Sequence, residues 1–162
     1  MTETTTPAYT KPLPDMRPEG DHWWQAMKEH TLLLPTDAAG KPFWYPRALV
    51  PGTLEPTQWV ESKGTGSVYT YSVHFIGPSK AYKGDPPHTV ALIDLDDGVR
   101  LMSNLVKDEE GYPSIDPDDV SIGMKVRLVF HDVTDEITLP KFVAHSESRR
   151  RPRMAGVHEH RT

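Results

Sequence analysis

Cysteine is absent from the 162 residues of this chain. Disulfide bonds, thiolate nucleophiles and metal sites with cysteine ligands are therefore excluded. Long apolar runs are also missing, and no stretch approaches the roughly 20 residues that an α-helix needs to cross a bilayer. The first residues lack the apolar core that is typical of a secretion signal. We therefore expect a cytoplasmic protein with no membrane association.

Excess positive charge is missing as well. The chain has 23 acidic and 18 basic residues, a net charge of -5 and a mean hydropathy of -0.55. The distribution is uneven, because residues 145–162 contain five arginines and two glutamates and leave residues 1–144 with a charge of -8. An acidic body repels the phosphates of nucleic acid, so nucleic acid is disfavoured as a partner.

Motifs of self-contained enzymes are absent too. The chain has no GxSxG, HExxH or P-loop motif, and no GxGxxG that opens a helix after a strand. The histidines show no spacing typical of metal ligands, and the carboxylate clusters flank predicted turns, where a solvated surface is the simpler explanation. We therefore expect no catalytic residue, no cofactor and no metal bound by this chain.

Four segments are predicted along the chain. Residues 1–19 lack periodicity and predict a disordered arm, whereas residues 20–56 predict a short helix followed by turns rich in proline and glycine. Residues 57–144 predict short strands. Residues 145–162 return to a polar composition and predict a basic flexible tail.

An amphipathic helix is predicted within DHWWQAMKEH, residues 21–30. Asp21 can cap its first turn, and Trp23 and Met27 share one helical face. A helix of this length is marginal in isolation. Its tryptophans therefore need a surface to pack on, either in the same domain or in a second chain.

The strand region has the element order of an OB fold. Alternating apolar residues predict strands at 67–76, 88–95, 99–106 and 125–133, with shorter ones near 59–62 and 137–143. Asp96-Asp97-Gly98 is a hairpin signal, and Asp116 and Pro117 predict one helical turn before the penultimate strand. This order favours a Greek-key barrel, with an open antiparallel sandwich as the alternative.

Several segments from about Lys11 to Phe142 carry a family resemblance. They are KPLP, DHWWQAMKEH, LLLP, GKPFWYPRALVPGT, WVESKGTGSVYTYSVHF, VALIDLDDGVRLMSNLV, IGMKVRLVF and LPKF. In this order they resemble the zinc-ribbon plus OB-fold proteins of domain-of-unknown-function family 35, which associate with acyl-CoA enzymes. The resemblance implies a mostly β fold with an N-terminal helix, a rubredoxin-like ribbon and a C-terminal OB-fold β-barrel.

The ribbon departs from the family pattern at the zinc ligands. Members usually carry CxxCG followed by CPxC. When Gly40 and Pro51 are placed on that pattern, the ligand positions are occupied by Thr36, Ala39, Val50 and Thr53. None of these is a soft ligand, so we expect a degenerate ribbon that is free of metal.

The function that the resemblance implies is that of a non-catalytic accessory subunit. Such proteins typically pair with a thiolase-fold chain, often as an α2β2 heterotetramer, in thiolytic, acyl-transfer or retro-aldol steps on CoA thioesters. Degradation of a steroid side chain or an aromatic acid is an example. The CoA thioester is then the substrate of the complex. The alternatives are a single-strand nucleic-acid-binding OB protein and a stand-alone acyl-CoA hydratase or thioesterase.

Two sets of candidate site residues follow from this resemblance. Lysines can meet the phosphates of CoA and aromatic rings can line an acyl chain. The candidates for this substrate site are Tyr71, His74, Phe75, Lys80, Tyr82 and Lys83. The candidates for a partner interface are Trp23, Trp24, Phe43, Trp44 and Tyr45. Packing inside the chain is the alternative explanation for the interface set.

Overall fold

A computed structural model describes residues 9–83, 87–110 and 113–145. Residues 1–8 of the predicted arm and 146–162 of the predicted tail lie outside the described residues. The elements are α1 (Asp21–Lys28), β1 (Leu33–Thr36), β2 (Gln58–Glu61), β3 (Thr65–His74), β4 (His88–Leu95), β5 (Arg100–Val106), β6 (Lys125–Asp132) and β7 (Thr138–Ala144), with 3-10 turns at Pro18–Gly20, Lys80–Tyr82 and Pro117–Asp119. Within the described ranges, no helix combines the length and apolar character required to cross a membrane.

Five strands form a closed barrel in the order β3-β4-β5-β7-β6. Neighbouring strands are antiparallel except β5 and β7, which pair in parallel at Leu105 and Phe142. The barrel closes because the first residues of β3 pair with β6, while β3 from Gly66 onward pairs with β4. The 3-10 turn before β6, Pro117–Asp119, is capped by Asp116, whose carboxylate accepts the N–H of Asp118. The predicted OB fold is confirmed, and the alternative of an open sandwich is wrong.

The residues inside the barrel are those at alternate positions along its strands, where buried and more exposed side chains alternate. In β4 every second residue is buried, and these residues are Thr89, Ala91, Ile93 and Leu95. Successive side chains of a strand point to opposite faces, so this pattern directs one face of β4 into the barrel. The Asp96-Asp97-Gly98 turn joins β4 to β5 as predicted, with the N–H of Gly98 donating to the carbonyl of Leu95.

A second, two-stranded sheet contains β1 and β2. The strand predicted at 59–62 corresponds to β2, which pairs with β1 and not with a barrel strand. Helix α1 buries Trp23, Ala26 and Met27. Trp23 and Met27 share one hydrophobic cluster with Leu34 of β1 and with residues of all five barrel strands. The helix, the small sheet and the barrel therefore have a common core.

The start of α1 differs from the sequence prediction. Asp21 was expected to cap the helix, but the cap position is occupied by Gly20 and Asp21 is the first helical residue. The reason is the 3-10 turn at Pro18–Gly20, which runs directly into the helix and donates the Gly20 N–H to the carbonyl of Arg17. The cap therefore makes no side-chain hydrogen bond.

The residues just after α1 are tied to the barrel by a hydrogen-bonded contact. His30 adopts a left-handed φ of 56° and places its Nε2 3.0 Å from both carboxylate oxygens of Asp132 on β6. Burial of Asp132 opposes its ionisation, but hydrogen bonds from Thr138 and His30 outweigh this effect and hold the pKa of Asp132 below its ordinary value. The contact joins the helix to the sheet across 102 positions of sequence.

A neighbouring histidine of β6 is buried in the neutral form. Burial lowers the pKa of His131 to about 4, and the charges of Lys141 and Lys11 act in the same direction. The carboxylates of Asp132 and Asp108 oppose this shift but do not cancel it. Tyr9 packs its ring edge against the imidazole with centroids 6.0 Å apart.

Acidification should therefore destabilise this protein through His131. The pKa of a histidine in an unfolded chain is about 6.5. Below that pH the unfolded state therefore binds a proton at this position, whereas the folded state does not bind it until the pH is near 4. The stabilisation is present above that pKa and is lost as the pH falls towards 4, and we expect a loss of about 2 kcal/mol near pH 4.5. Urea unfolding of the wild type and of His131→Phe, at neutral pH and near pH 4.5, measures this loss of stability. An equal pH dependence in the two proteins would contradict the assignment.

Candidate functional site

Helix α1 and the irregular segment between β1 and β2 enclose an open groove of about 800 Å³. The rings of Trp23 and Trp24 meet edge to face at 4.8 Å, and Trp23 and Trp44 do so at 6.1 Å. Tyr45 continues the row at 5.6 Å from Trp44. All four rings line the groove. Of the five residues predicted for a partner interface, only Phe43 does not line it.

The depth of these side chains differs. Trp23 is only 7 % exposed, and its indole N–H donates to the carbonyl of Leu33 at 3.0 Å. It forms the floor of the groove and belongs to the core. Trp24 and Trp44 are half-buried, whereas Tyr45 is 57 % exposed. A role in a partner interface stays a prediction for this set, and its accessible part starts at Trp24.

Two exposed leucines extend the groove beyond the predicted set. Leu49 and Leu54 also line it, and Leu54 is 71 % exposed with a left-handed φ of 61°. Sequence reasoning missed both, because the segment around them has neither helical nor strand periodicity. The one available signal was the presence of large aliphatic residues in a stretch otherwise made of turns.

The positions that the resemblance assigns to zinc ligands do not form a zinc site. Thr36 and Val50 are buried, whereas Ala39 and Thr53 are exposed. Two hydroxyls and two aliphatic side chains do not fit zinc, which is bound by thiolate, imidazole or carboxylate. No group of three or more histidine, aspartate or glutamate side chains that could hold a metal ion occurs in the part of the chain that the structure describes.

Hydrogen bonds close two turns in the segment between β1 and β2, which the resemblance assigns to the ribbon. In the first turn, Asp37 accepts the backbone N–H groups of Ala39 and Lys41, both at 2.9 Å. In the second, the N–H of Leu54 donates to the carbonyl of Val50 at 3.0 Å. The Asp37 carboxylate satisfies backbone donors that a tight turn would otherwise leave without an acceptor.

A second cluster lies where β3 ends and β4 begins. The imidazoles of His74 and His88 stack at 4.9 Å, and Tyr82 stacks on His88 at 5.7 Å. The Nζ of Lys11 lies 5.1 Å from the centre of the Tyr82 ring. We call these four side chains the ring column. Phe75, which follows β3 directly, is exposed.

The β3–β4 loop holds Tyr82 in this column. The hydroxyl of Ser79 accepts the N–H of Ala81 and caps the 3-10 turn that contains Tyr82. At Gly77 a Cβ would overlap the Cβ of Tyr82 and lie 3.2 Å from its Cγ. Glycine is therefore required for the loop to fold back on itself. Lys80 and Lys83, which flank Tyr82 in sequence, are exposed.

The structure brings two of the six predicted substrate-site residues, His74 and Tyr82, into one cluster. Lys80 and Lys83 are close to Tyr82 in sequence, and Phe75 follows His74. Tyr71 is elsewhere, since its hydroxyl donates to the carbonyl of Val120 at 3.3 Å and its ring packs on the core. Binding of CoA by the remaining residues stays a prediction.

Two members of the ring column were missed by sequence reasoning. His88 is the cross-strand partner of His74 in the β3–β4 hairpin. The hairpin register was the signal for it, because residues in direct register share one face. Lys11 gave no signal, because the N-terminal segment has no periodicity that would place it.

Comparison with known proteins identifies the family. A DUF35 domain-containing scaffold protein of Methanocaldococcus jannaschii is 31% identical over 117 residues, which cover 70% of this chain and 77% of that protein. The chain belongs to the DUF35 family. The family described as ChsH2, C-terminal OB-fold domain, matches residues 59–131 of this DUF35 protein. The predicted family is confirmed.

Other relatives of this DUF35 protein have enzyme names. It matches a chain of the solved Ltp2-ChsH2(DUF35) aldolase with a TM-score of 0.68 and 33% identity, over 82% of its own length and 98% of that chain. It is 35% identical to a probable enoyl-CoA hydratase alpha subunit of Thermomonospora curvata, and the match covers 84% of this chain and 40% of that subunit. It is also 30% identical to the 3-oxo-4,17-pregnadiene-20-carboxyl-CoA hydratase alpha subunit of Mycobacterium tuberculosis, where the match covers 74% of this chain and 37% of that subunit. It therefore spans less than half of each hydratase subunit.

Proposed function

We propose that this DUF35 protein is a non-catalytic accessory subunit of a thiolase-like complex that acts on acyl-CoA thioesters. The observation that carries the proposal is the likeness to a chain of the Ltp2-ChsH2(DUF35) aldolase, which extends over 98% of that chain. The scaffold name of the methanogen relative supports an accessory role. The chemistry of the two clusters agrees, because they present aromatic rings and lysines for binding and not a nucleophile next to a base.

The groove is the surface that we assign to the partner. Interface cores are enriched in tryptophan and tyrosine, whose large rings bury much area with few rotatable bonds. Tyr45, Leu49 and Leu54 leave apolar area in contact with water that a second chain would cover. We assign a thiolase-fold chain to this surface and an α2β2 stoichiometry to the complex.

The ring column and its loop are the surface that we assign to CoA. Lys80 and Lys83 supply the positive charge that phosphate groups would need, and Phe75 can contact the acyl chain. His74 and Tyr82 add ring faces for the adenine or the pantetheine arm. The names of the aldolase and of the pregnadiene-carboxyl-CoA hydratase subunit favour retro-aldol cleavage of a bulky acyl chain such as a steroid side chain.

Co-expression with a thiolase-like protein tests the proposal. We expect the two chains to co-purify with the mass of an α2β2 complex, and the complex to cleave a β-hydroxyacyl-CoA that the isolated chain leaves unchanged. Light scattering gives the mass, and chromatography of the CoA products gives the turnover. Turnover by the isolated chain at enzymatic rates would refute the accessory role and favour a stand-alone hydratase or thioesterase.

A further inference from the structure

The segment that precedes α1 crosses from one candidate surface to the other. Its Tyr9 packs against His131 of β6, and its Lys11 lies over the ring of Tyr82. Further along, Asp15 and Glu19 line the groove beside α1. Sequence reasoning assigned no chemistry to this segment. In the fold it is a strap that touches the barrel, the β3–β4 loop and the groove in turn.

Lys11 is the residue of this strap that reaches the proposed CoA site. An ammonium over the face of a tyrosine is held by the ring quadrupole, which gives Lys11 a defined place beside the column. Lys80 and Lys83 flank Tyr82 in sequence and are exposed, so the segment around this ring carries two lysines of its own besides Lys11. Residues 1–144 have a net charge of -8, and three lysines at or next to one residue are unusual against that background.

The ring column has two chemically different ends. Lys11 lies over Tyr82 at one end, where Lys80 and Lys83 are neighbours of Tyr82 in sequence, whereas His74 is exposed at the other end and is followed in the chain by the exposed Phe75. A ligand with several phosphates at one end and an apolar or aromatic part at the other matches this order. The phosphorylated adenosine diphosphate portion of CoA supplies such phosphates.

We propose that Lys11 is a binding residue for the phosphates of CoA, delivered to the site by the strap. This inference rests on the proposed function, since it adds a third cation to the CoA surface assigned there. A lysine acts on phosphate as a point charge, so the position of its ammonium matters more than the direction of any one hydrogen bond. The Tyr82 ring fixes that position.

The test measures the KM for the acyl-CoA and the Kd for CoA in the intact complex. Lys11→Met should raise both by about tenfold, the effect of losing one charge-assisted contact, and should leave kcat unchanged. Lys11→Arg keeps the charge and should stay within about threefold of the wild type. Lys63→Met removes an exposed lysine outside the ring column and is the matched control. The thermal midpoint of each variant reports whether the fold is retained.

A second variant in the same assays distinguishes failure of this inference from failure of the proposed function. Lys80→Met with Lys83→Met tests the CoA surface without touching the strap. If this double variant weakens CoA binding and Lys11→Met does not, Lys11 is not a phosphate ligand while the CoA surface stands. If neither variant changes CoA binding, both assignments are wrong. If Lys11→Met and Lys11→Arg weaken binding equally, charge is not the cause and the inference is overturned.

Discussion

Replacing Gly66 with alanine should destabilise the protein by about 3 kcal/mol. A Cβ at this position would overlap the carbonyl oxygen of Asp94 and lie 3.0 Å from the Cα of Leu95. Both atoms belong to the backbone of β4, which cannot rotate away as a flexible side chain would. Gly66 also pairs with Val126 of β6, on the other side of β3. Any movement that relieves the overlap therefore opens the point at which the barrel closes.

Gly98 provides the matched glycine-to-alanine control. It has a φ of 91° in the β4–β5 turn, and a Cβ there would meet nothing within 4 Å. Gly98→Ala therefore isolates the backbone strain of a left-handed alanine, for which we expect a loss of about 1 kcal/mol. The free energies of unfolding in urea give both values. Equal losses at the two positions would mean that close approach of the strands is not what requires Gly66.

The sequence carried enough information to predict the barrel. Alternating burial has a period of two only in a strand, so the positions of β4 and β5 could be read directly. The same pattern does not say which strand lies next to which. For this reason β2 was recognised as a strand, whereas its pairing with β1 was not. Which strands pair depends on how the elements pack around the common core, and no local sequence pattern contains that information.

The candidate site was predictable only where it lies on regular structure. His74 is on a strand, and its partner His88 could have been found from the hairpin register. Leu54 and Lys11 lie in segments without periodicity, and long-range packing alone brings them to their sites. The burial of Trp23 could not be predicted either. The sequence places a tryptophan on the helix but does not say whether its indole is buried or exposed.

Leu54 combines two features that are unfavourable in the isolated chain. Its side chain is 71 % exposed, and its backbone has a φ of 61°, a conformation that disfavours a bulky residue. Neither feature is compensated by burial within the chain. Backbone strain of this kind is concentrated at functional positions, where a requirement of binding or catalysis outweighs its cost in stability. The proposed partner chain would supply such a requirement, with Leu54 as an apolar anchor.

The variant Leu54→Asn with Tyr45→Ser should accordingly separate association from stability. Asparagine tolerates the left-handed conformation, which offsets the loss of the ring contact between Tyr45 and Trp44, so the isolated chain should stay within about 1 kcal/mol of the wild type. Binding to the thiolase-like partner should weaken by about 100-fold or more, because loss of two exposed apolar side chains that line the groove is expected to remove at least about 2 to 3 kcal/mol. Titration calorimetry of the partner and urea unfolding of the free chain measure the two effects.

Ile122→Asn is the matched control for the groove. Ile122 is 70 % exposed, as much as Leu54, but it does not line the groove. If exposed aliphatic area alone drives association, both asparagine variants should weaken the partner complex to a similar degree. If the groove is the docking surface, Ile122→Asn should leave the Kd unchanged. A complex that tolerates both the double groove variant and Ile122→Asn would place the partner on another face, and the strain at Leu54 would then need a different cause.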